Sequence, residues 1–228
     1  MADFVFDQLA AAILRGELPA QSPLPPERVF AERFGVSRII VRQAVHRLAD
    51  LGLVRVRQGG GTMVLDPDQA TDLRLLGLYY RLAPDDVAGG PSRNDMIEKQ
   101  YLQGLSMVSV AARRASPAAL ERVARLVDAY ADGEHKGRPV AELEEQFWRA
   151  VAKAGGNRIF VMEVAWWYEV LRDRPVPAAV GALSRRRRAA FYVELARRLV
   201  ERDHPVEYYA AVMAPILDRL FARRRAPA

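Results

Sequence analysis

The stretch "GVSRIIVRQAVHRLADLGLVRVRQGGGTMV", residues 35–64, decides the fold of the N-terminal part. Ser37 is a good helix N-cap, and after it Val41, Ala44, Val45 and Leu48 recur at helical spacing, which predicts a helix with one buried stripe. Ile39, Arg42, Gln43 and His46 fall on the opposite face, and Gly52 ends the run. "LVRVR" and "TMVLD" then read as two short strands joined through "QGGG", a hairpin with permissive glycines at its tip. Upstream, Phe6, Leu9, Ala10 and Ile13 predict an amphipathic helix over residues 4–14. "RGELPAQSPLPP" is a proline-rich break, and "ERVFAERFG" is a short helix closed by Gly35.

Three short helices followed by a β-hairpin is the layout of a winged helix-turn-helix. The second helix of such a pair is narrow enough to enter the major groove of DNA, where its outward side chains meet base edges. The arginine fork matches the O6 and N7 acceptors of guanine, and arginines near a helix start can also fix phosphates. Glycines at the wing tip let the backbone approach phosphates or the minor groove without side-chain obstruction. The competing reading of the same residues is a small helical cap with ordinary surface arginines.

The whole chain has 228 residues, 50% of them hydrophobic, enough for one large or two modest cores. Its formal net charge of +6 is a mild basic bias, compatible with a nucleic-acid partner but no proof of one. With no cysteine there is no disulfide, thiolate zinc site or cysteine nucleophile. The start "MADFVFDQLAAAIL" lacks the basic region of a signal peptide, and no apolar run approaches the ~18 residues of a membrane span, so a soluble, cytoplasmic protein is expected. "DPDQATD" reads as a linker, and beyond it the pattern is helical throughout. The fold class expected is therefore mainly α. It comprises a winged helix-turn-helix over residues 1–66, a linker at 67–72, and an all-helical bundle of six or seven helices over 73–228. "RRRR" at 185–188 reads as a solvated helix end, with a nucleic-acid contact as the alternative. There is no P-loop, dinucleotide glycine turn or cysteine, and the chain is not expected to be an enzyme.

Residues 24–64, "LPPERVFAERFGVSRIIVRQAVHRLADLGLVRVRQGGGTMV", closely resemble the DNA-binding domain of the GntR family of bacterial transcription regulators. The resemblance implies that Arg28, Arg38 and Arg42 contact a palindromic double-stranded operator, with Ser37 at the helix start and Gln58 and Gly59 at the wing tip. It departs from the family pattern at Ile39 and Ile40, where small, often hydroxylated residues are usual. Isoleucine cannot donate to phosphate but can touch a thymine methyl, and Ile40 has packing against the preceding helix as an equal alternative.

The helical part resembles the FadR-like subfamily through "AELEEQFWRAVAKAGGNRIF", residues 141–160. That resemblance implies a homodimer with an effector site inside the bundle. Many members hold a metal there with one carboxylate and three histidines, but the aligned positions here are Glu144, Trp148, Tyr192 and Ile216. The three histidines, His46, His135 and His204, are too scattered to form one site. Gln100 and Gly104 replace the arginine and glutamate that often receive a small acid. No metal or cofactor is expected. With Tyr101 added, these residues suggest an apolar effector pocket, for which a fatty acid or acyl-CoA is one candidate, as in the metal-free branch of the subfamily. The chain reads as a ligand-responsive repressor; the alternative is a DNA-binding module whose helical part only dimerises.

Overall fold

The computed structural model describes residues 1–57, 59–82, 93–131, 140–172 and 185–225. Gln58 and His135 lie outside the described residues. The chain divides into two compact units, Met1–Arg93 and Asn94–Ala228.

The first unit opens with α1 (Ala2–Leu14), α2 (Glu27–Phe34) and α3 (Arg38–Asp50). Val41, Ala44, Val45 and Leu48 of α3 are buried with Val5, Phe6, Leu9 and Ile13 of α1 and Phe30 of α2. The predicted helical stripe is therefore the core of the unit. Both ends of α3 are set by local chemistry. Ser37 Oγ accepts the Ile40 N–H at 3.4 Å. At the other end Gly52 takes φ 74°, while the Leu53 N–H bonds Leu48 O at 2.9 Å and the Gly52 N–H bonds Ala49 O at 3.0 Å. That pair of bonds is a Schellman cap, and it drops Leu53 into the core beside Leu48.

Strands β1 (Val54–Arg57) and β2 (Gly61–Val64) pair antiparallel, with Val54 opposite Val64 and Arg57 opposite Gly61. The proline-rich break is not idle: Gln21 and Leu24 N–H donate to Val64 and Thr62 carbonyls, and Val64 N–H donates to Ser22. It lies along the free edge of β2, where prolines can sit because one side of an edge strand needs no donor. The aspartates of "DPDQATD" act as caps. Asp66 accepts from Asp68 N–H at 3.0 Å over a 3-10 turn (Pro67–Gln69), and Asp72 accepts from Arg74 N–H at 2.8 Å at the start of α4 (Arg74–Leu82). Helix α4, which the sequence reading counts with the bundle, buries Leu75, Leu78 and Tyr79 in the core of the first unit. Its apolar face completes what α1 alone would leave open.

The second unit contains α5 (Arg93–Arg114), α6 (Pro117–Ala131), α7 (Val140–Ala154), α8 (Arg158–Arg172), α9 (Arg185–Glu201) and α10 (Pro205–Arg225). Leu120, Leu143, Phe147, Val151, Leu195 and Leu199 are fully buried at its centre. The "GGN" break has a physical reason. Gly156 adopts φ 72°, Asn157 Oδ1 caps α8 by accepting from Ile159 N–H at 3.0 Å, and a Cβ on Gly155 would lie 3.1 Å from Val110 Cγ1. No helix among the described residues is long and apolar enough to cross a membrane.

Gly35 separates α2 from α3 at φ 64°, with open space around its missing Cβ. Gly35→Ala is therefore a purely conformational change, and should destabilise the unit by roughly 1–2 kcal/mol, the left-handed penalty of an L-residue. Chemical denaturation of this variant beside Gly35→Asn checks it: asparagine tolerates the conformation and should cost less.

Candidate nucleic-acid interface and bundle interior

The burial of one α3 face leaves the other to solvent. Ile39 is 71% exposed, Arg38, Gln43 and His46 are exposed with it, and the Arg42 side chain is 64% exposed. Ile40 is half-buried and packs against the core, so its side chain works for the fold. The first turn of α3 carries no acid, so no carboxylate on the helix itself opposes its positive end.

Neighbouring acids sort the arginines into two groups. Arg28 of α2 pairs with Glu32 one turn on, at 2.7 Å. Arg42 is held by Glu27 of α2, which also raises its already high pKa through hydrogen bonding and charge. Arg38 and the strand arginines Arg55 and Arg57 are exposed and have no acid partner among the described residues. Gly59, in the turn after β1, takes φ 71°. Arg55 and Arg57 were not singled out from the sequence; their alternation with Val54 and Val56 in "VRVR" was the available signal, since only Val54 is buried.

In the second unit, Tyr101 (α5), Glu144 and Trp148 (α7), Tyr192 (α9) and Ile216 (α10) gather around the same core. Tyr101 stacks on Tyr209 at 5.6 Å with rings 7° apart, and Trp148 meets Tyr209 and Tyr192 edge-on at 5.7 and 6.3 Å. Tyr209, missed from the sequence, shares a helical stripe with Met213 and Ile216. Its hydroxyl fills the space a side chain at position 104 would take: a Cβ on Gly104 would overlap that hydroxyl, lie 2.8 Å from its ring carbon, and lie 3.1 Å from Trp148 Cη2.

Glu144 is largely buried, and desolvation raises its pKa against the opposing pull of Arg188 and of the Tyr192 hydroxyl. Arg188 Nη1 lies 3.7 Å from Glu144 Oε1, so the last arginine of "RRRR" turns inward instead of forming a solvated helix end. Glu144 Oε1 and Arg188 Nε are both buried without a hydrogen-bond partner. Burial likewise raises the pKa of Tyr192 and Tyr168 well above the usual phenol range, so both stay protonated. A resident metal does not fit these residues: Trp148 and Ile216 offer no lone pair, and no group of three or more His, Cys, Asp or Glu among the described residues could hold one.

The profile described as bacterial regulatory proteins, gntR family, matches residues 1–64, and that of the FCD domain matches residues 104–214. The chain joins a gntR-family domain to an FCD domain. An uncharacterised HTH-type transcriptional regulator of Mycobacterium tuberculosis, Rv0494, is 31% identical over 69% of this chain. A putative L-lactate dehydrogenase operon regulatory protein of Escherichia coli is 28% identical over 76% of the chain. A fatty acid metabolism regulator protein of Edwardsiella ictaluri is 28% identical over 70%. The chain spans 63%, 66% and 64% of the length of these three relatives, respectively. All three are regulators by name.

The FCD interior makes a quantitative prediction at Gly104. Helix propensity alone would make Gly104→Ala stabilising by about 1 kcal/mol. Overpacking against Tyr209 and Trp148 should reverse the sign, with a net loss of roughly 1–3 kcal/mol. In a Tyr209→Phe background, which removes the overlapping hydroxyl, the same substitution should cost distinctly less. Denaturant melts of the four proteins in this cycle measure the coupling.

Proposed function

We propose that this GntR–FCD chain is a homodimeric, sequence-specific repressor that binds a palindromic operator. The observation that carries the reading is the exposed face of α3. It presents Arg38, Ile39 and Arg42 from a helix held rigidly by its own core stripe and caps. Arg28, Ser37, Ile40, Gln58 and Gly59 belong to the proposed interface as well. Arg28 and Ser37 would contact backbone phosphates, Ile40 would support the helix from below, and the wing tip would approach the duplex. One such reader spans only a half-site, which is why two subunits are needed.

Selection of randomised duplexes by the full chain, followed by fluorescence anisotropy on the enriched sequence, tests this. Two chains per duplex are expected. Arg38→Ala and Arg42→Ala should each weaken binding roughly tenfold or more, the scale of one bidentate base contact. Arg125→Ala, in an exposed pair with Glu121 on α6, should leave affinity nearly unchanged. Equal losses in all three would reduce the effect to net charge.

The effector reading rests on the aromatic interior of Tyr101, Trp148, Tyr192 and Ile216, with Glu144 and Arg188 as its polar corner. An apolar ligand of the fatty-acid or acyl-CoA kind suits that lining, and one relative is named for fatty acid metabolism. A second reading, in which the bundle only dimerises, is favoured by the way Tyr209 and Trp148 already fill the space beside Gly104. Trp148→Ala separates the two. If Trp148 lines an effector site, the variant should bind the operator normally but lose release by dodecanoic acid or dodecanoyl-CoA. If it is core, the variant should lose about 3–5 kcal/mol of stability, and neither ligand should release the wild type.

A further inference from the structure

Glu27 and Arg42 tie the start of α2 to the exposed face of α3 with an unusual completeness for a surface pair. Arg42 Nε donates to Glu27 Oε1 and Oε2 at 3.1 and 3.2 Å, and Nη2 donates to Oε2 at 3.0 Å. These donors lie along one edge of the guanidinium, the side-on edge formed by Nε and Nη2. The end-on edge, made of Nη1 and the outer hydrogen of Nη2, has no partner among the described residues, and the side chain is 64% exposed. Glu27 is better fixed than its partner: it is the first residue of α2, follows Pro26, and its side chain is only 30% exposed.

A planar fork with one edge held and the other free is a pre-set reader. Guanine presents O6 and N7 side by side in the major groove, and the end-on edge of arginine matches them. An arginine already confined by a carboxylate loses less conformational freedom when it binds than one sampling all its rotamers. The pair is also neutral as a unit, so Arg42 adds little to indiscriminate attraction to phosphates. Arg28 is not held this way. Its contact with Glu32 uses Nη1 itself, within a single helix, and so occupies the edge that would read a base.

We propose that Glu27 is a positioning residue that clamps Arg42 by its side-on edge, so that its end-on edge recognises a guanine in the operator. This rests on the reading of α3 as the helix that enters the major groove. Indiscriminate attraction to phosphates then falls mainly to the wing arginines Arg55 and Arg57, which have no acid partner among the described residues.

The test uses the full chain and the duplex it enriches from a randomised pool. Each guanine of that duplex is replaced in turn by 7-deazaguanine, which lacks the N7 acceptor. The guanine whose replacement weakens the wild type but not Arg42→Ala is the one Arg42 reads. Glu27→Ala and Glu27→Gln should each shrink that guanine preference several-fold. They should also strengthen binding to an unrelated duplex, with the salt slope steeper by roughly 0.9 for one freed cation. Melting curves monitor folding of both variants. Uniform weakening on both duplexes with the guanine preference intact would make Glu27 merely structural and overturn the proposal. So would an enriched duplex in which no guanine responds to Arg42. If the wild type enriches no sequence, the DNA reading itself falls and takes the clamp with it.

Discussion

Helix α3 is pressed against α1 through Val41, Ala44, Val45 and Leu48, and the orientation of every candidate DNA contact follows from that seam. Each buried Val or Leu stabilises by roughly 1.5–3 kcal/mol, far more than any surface pair on the unit. Because a helix advances 100° per residue, burying those four positions turns Ile39, Arg42, Gln43 and His46 to solvent, while Arg38 is exposed as the first residue of the helix. The same seam sets the wing. The Schellman cap at Gly52 puts Leu53 under the core, and the Leu65 N–H then bonds back to Leu53 O at 2.9 Å, anchoring both feet of the hairpin. A substitution that loosened this seam would disturb helix and wing together.

The second unit follows a different logic. Its interior gathers Trp148, Tyr192 and Ile216 around the core, with aromatic rings that meet edge-on or stacked. Gly104 and Tyr209 are complementary: the bare position on α5 leaves room that a phenol from α10 occupies. What remains polar is Glu144 with Arg188, a pair at 3.7 Å whose inner atoms lack hydrogen bonds. A buried pair with imperfect geometry gains little stability. Its presence in an otherwise aromatic interior is the feature that an effector's polar head would explain.

The N-terminal fold was legible because its signals are local. Caps at Ser37, Gly35 and Gly52 and the 3.6-residue stripe each act within a few residues. Three things escaped, all because the deciding partner is distant in sequence. The proline-rich segment pairs with β2 some forty residues later, which no local pattern announces. Helix α4 joins the first core because α1 leaves an apolar flank for it. Arg188 looked like one of four solvated arginines, but its position four residues before buried Tyr192 turns it inward toward Glu144. Among the candidate site residues, periodicity identified the exposed face of α3, whereas the Glu27 clamp on Arg42 depends on the crossing of two helices and has no sequence signature.

The central claim is that α3 enters the major groove with its exposed face toward the bases. The chain has no cysteine, so a single introduced one labels uniquely. Affinity cleavage with an iron chelate tethered to Ile39→Cys, and separately to Arg125→Cys, on the enriched duplex tests the claim most directly. The account predicts strand cuts from position 39 confined to the two half-sites, offset as major-groove cleavage requires, with only weak, scattered cuts from position 125. Equal cutting from both positions, or none from position 39, would contradict it.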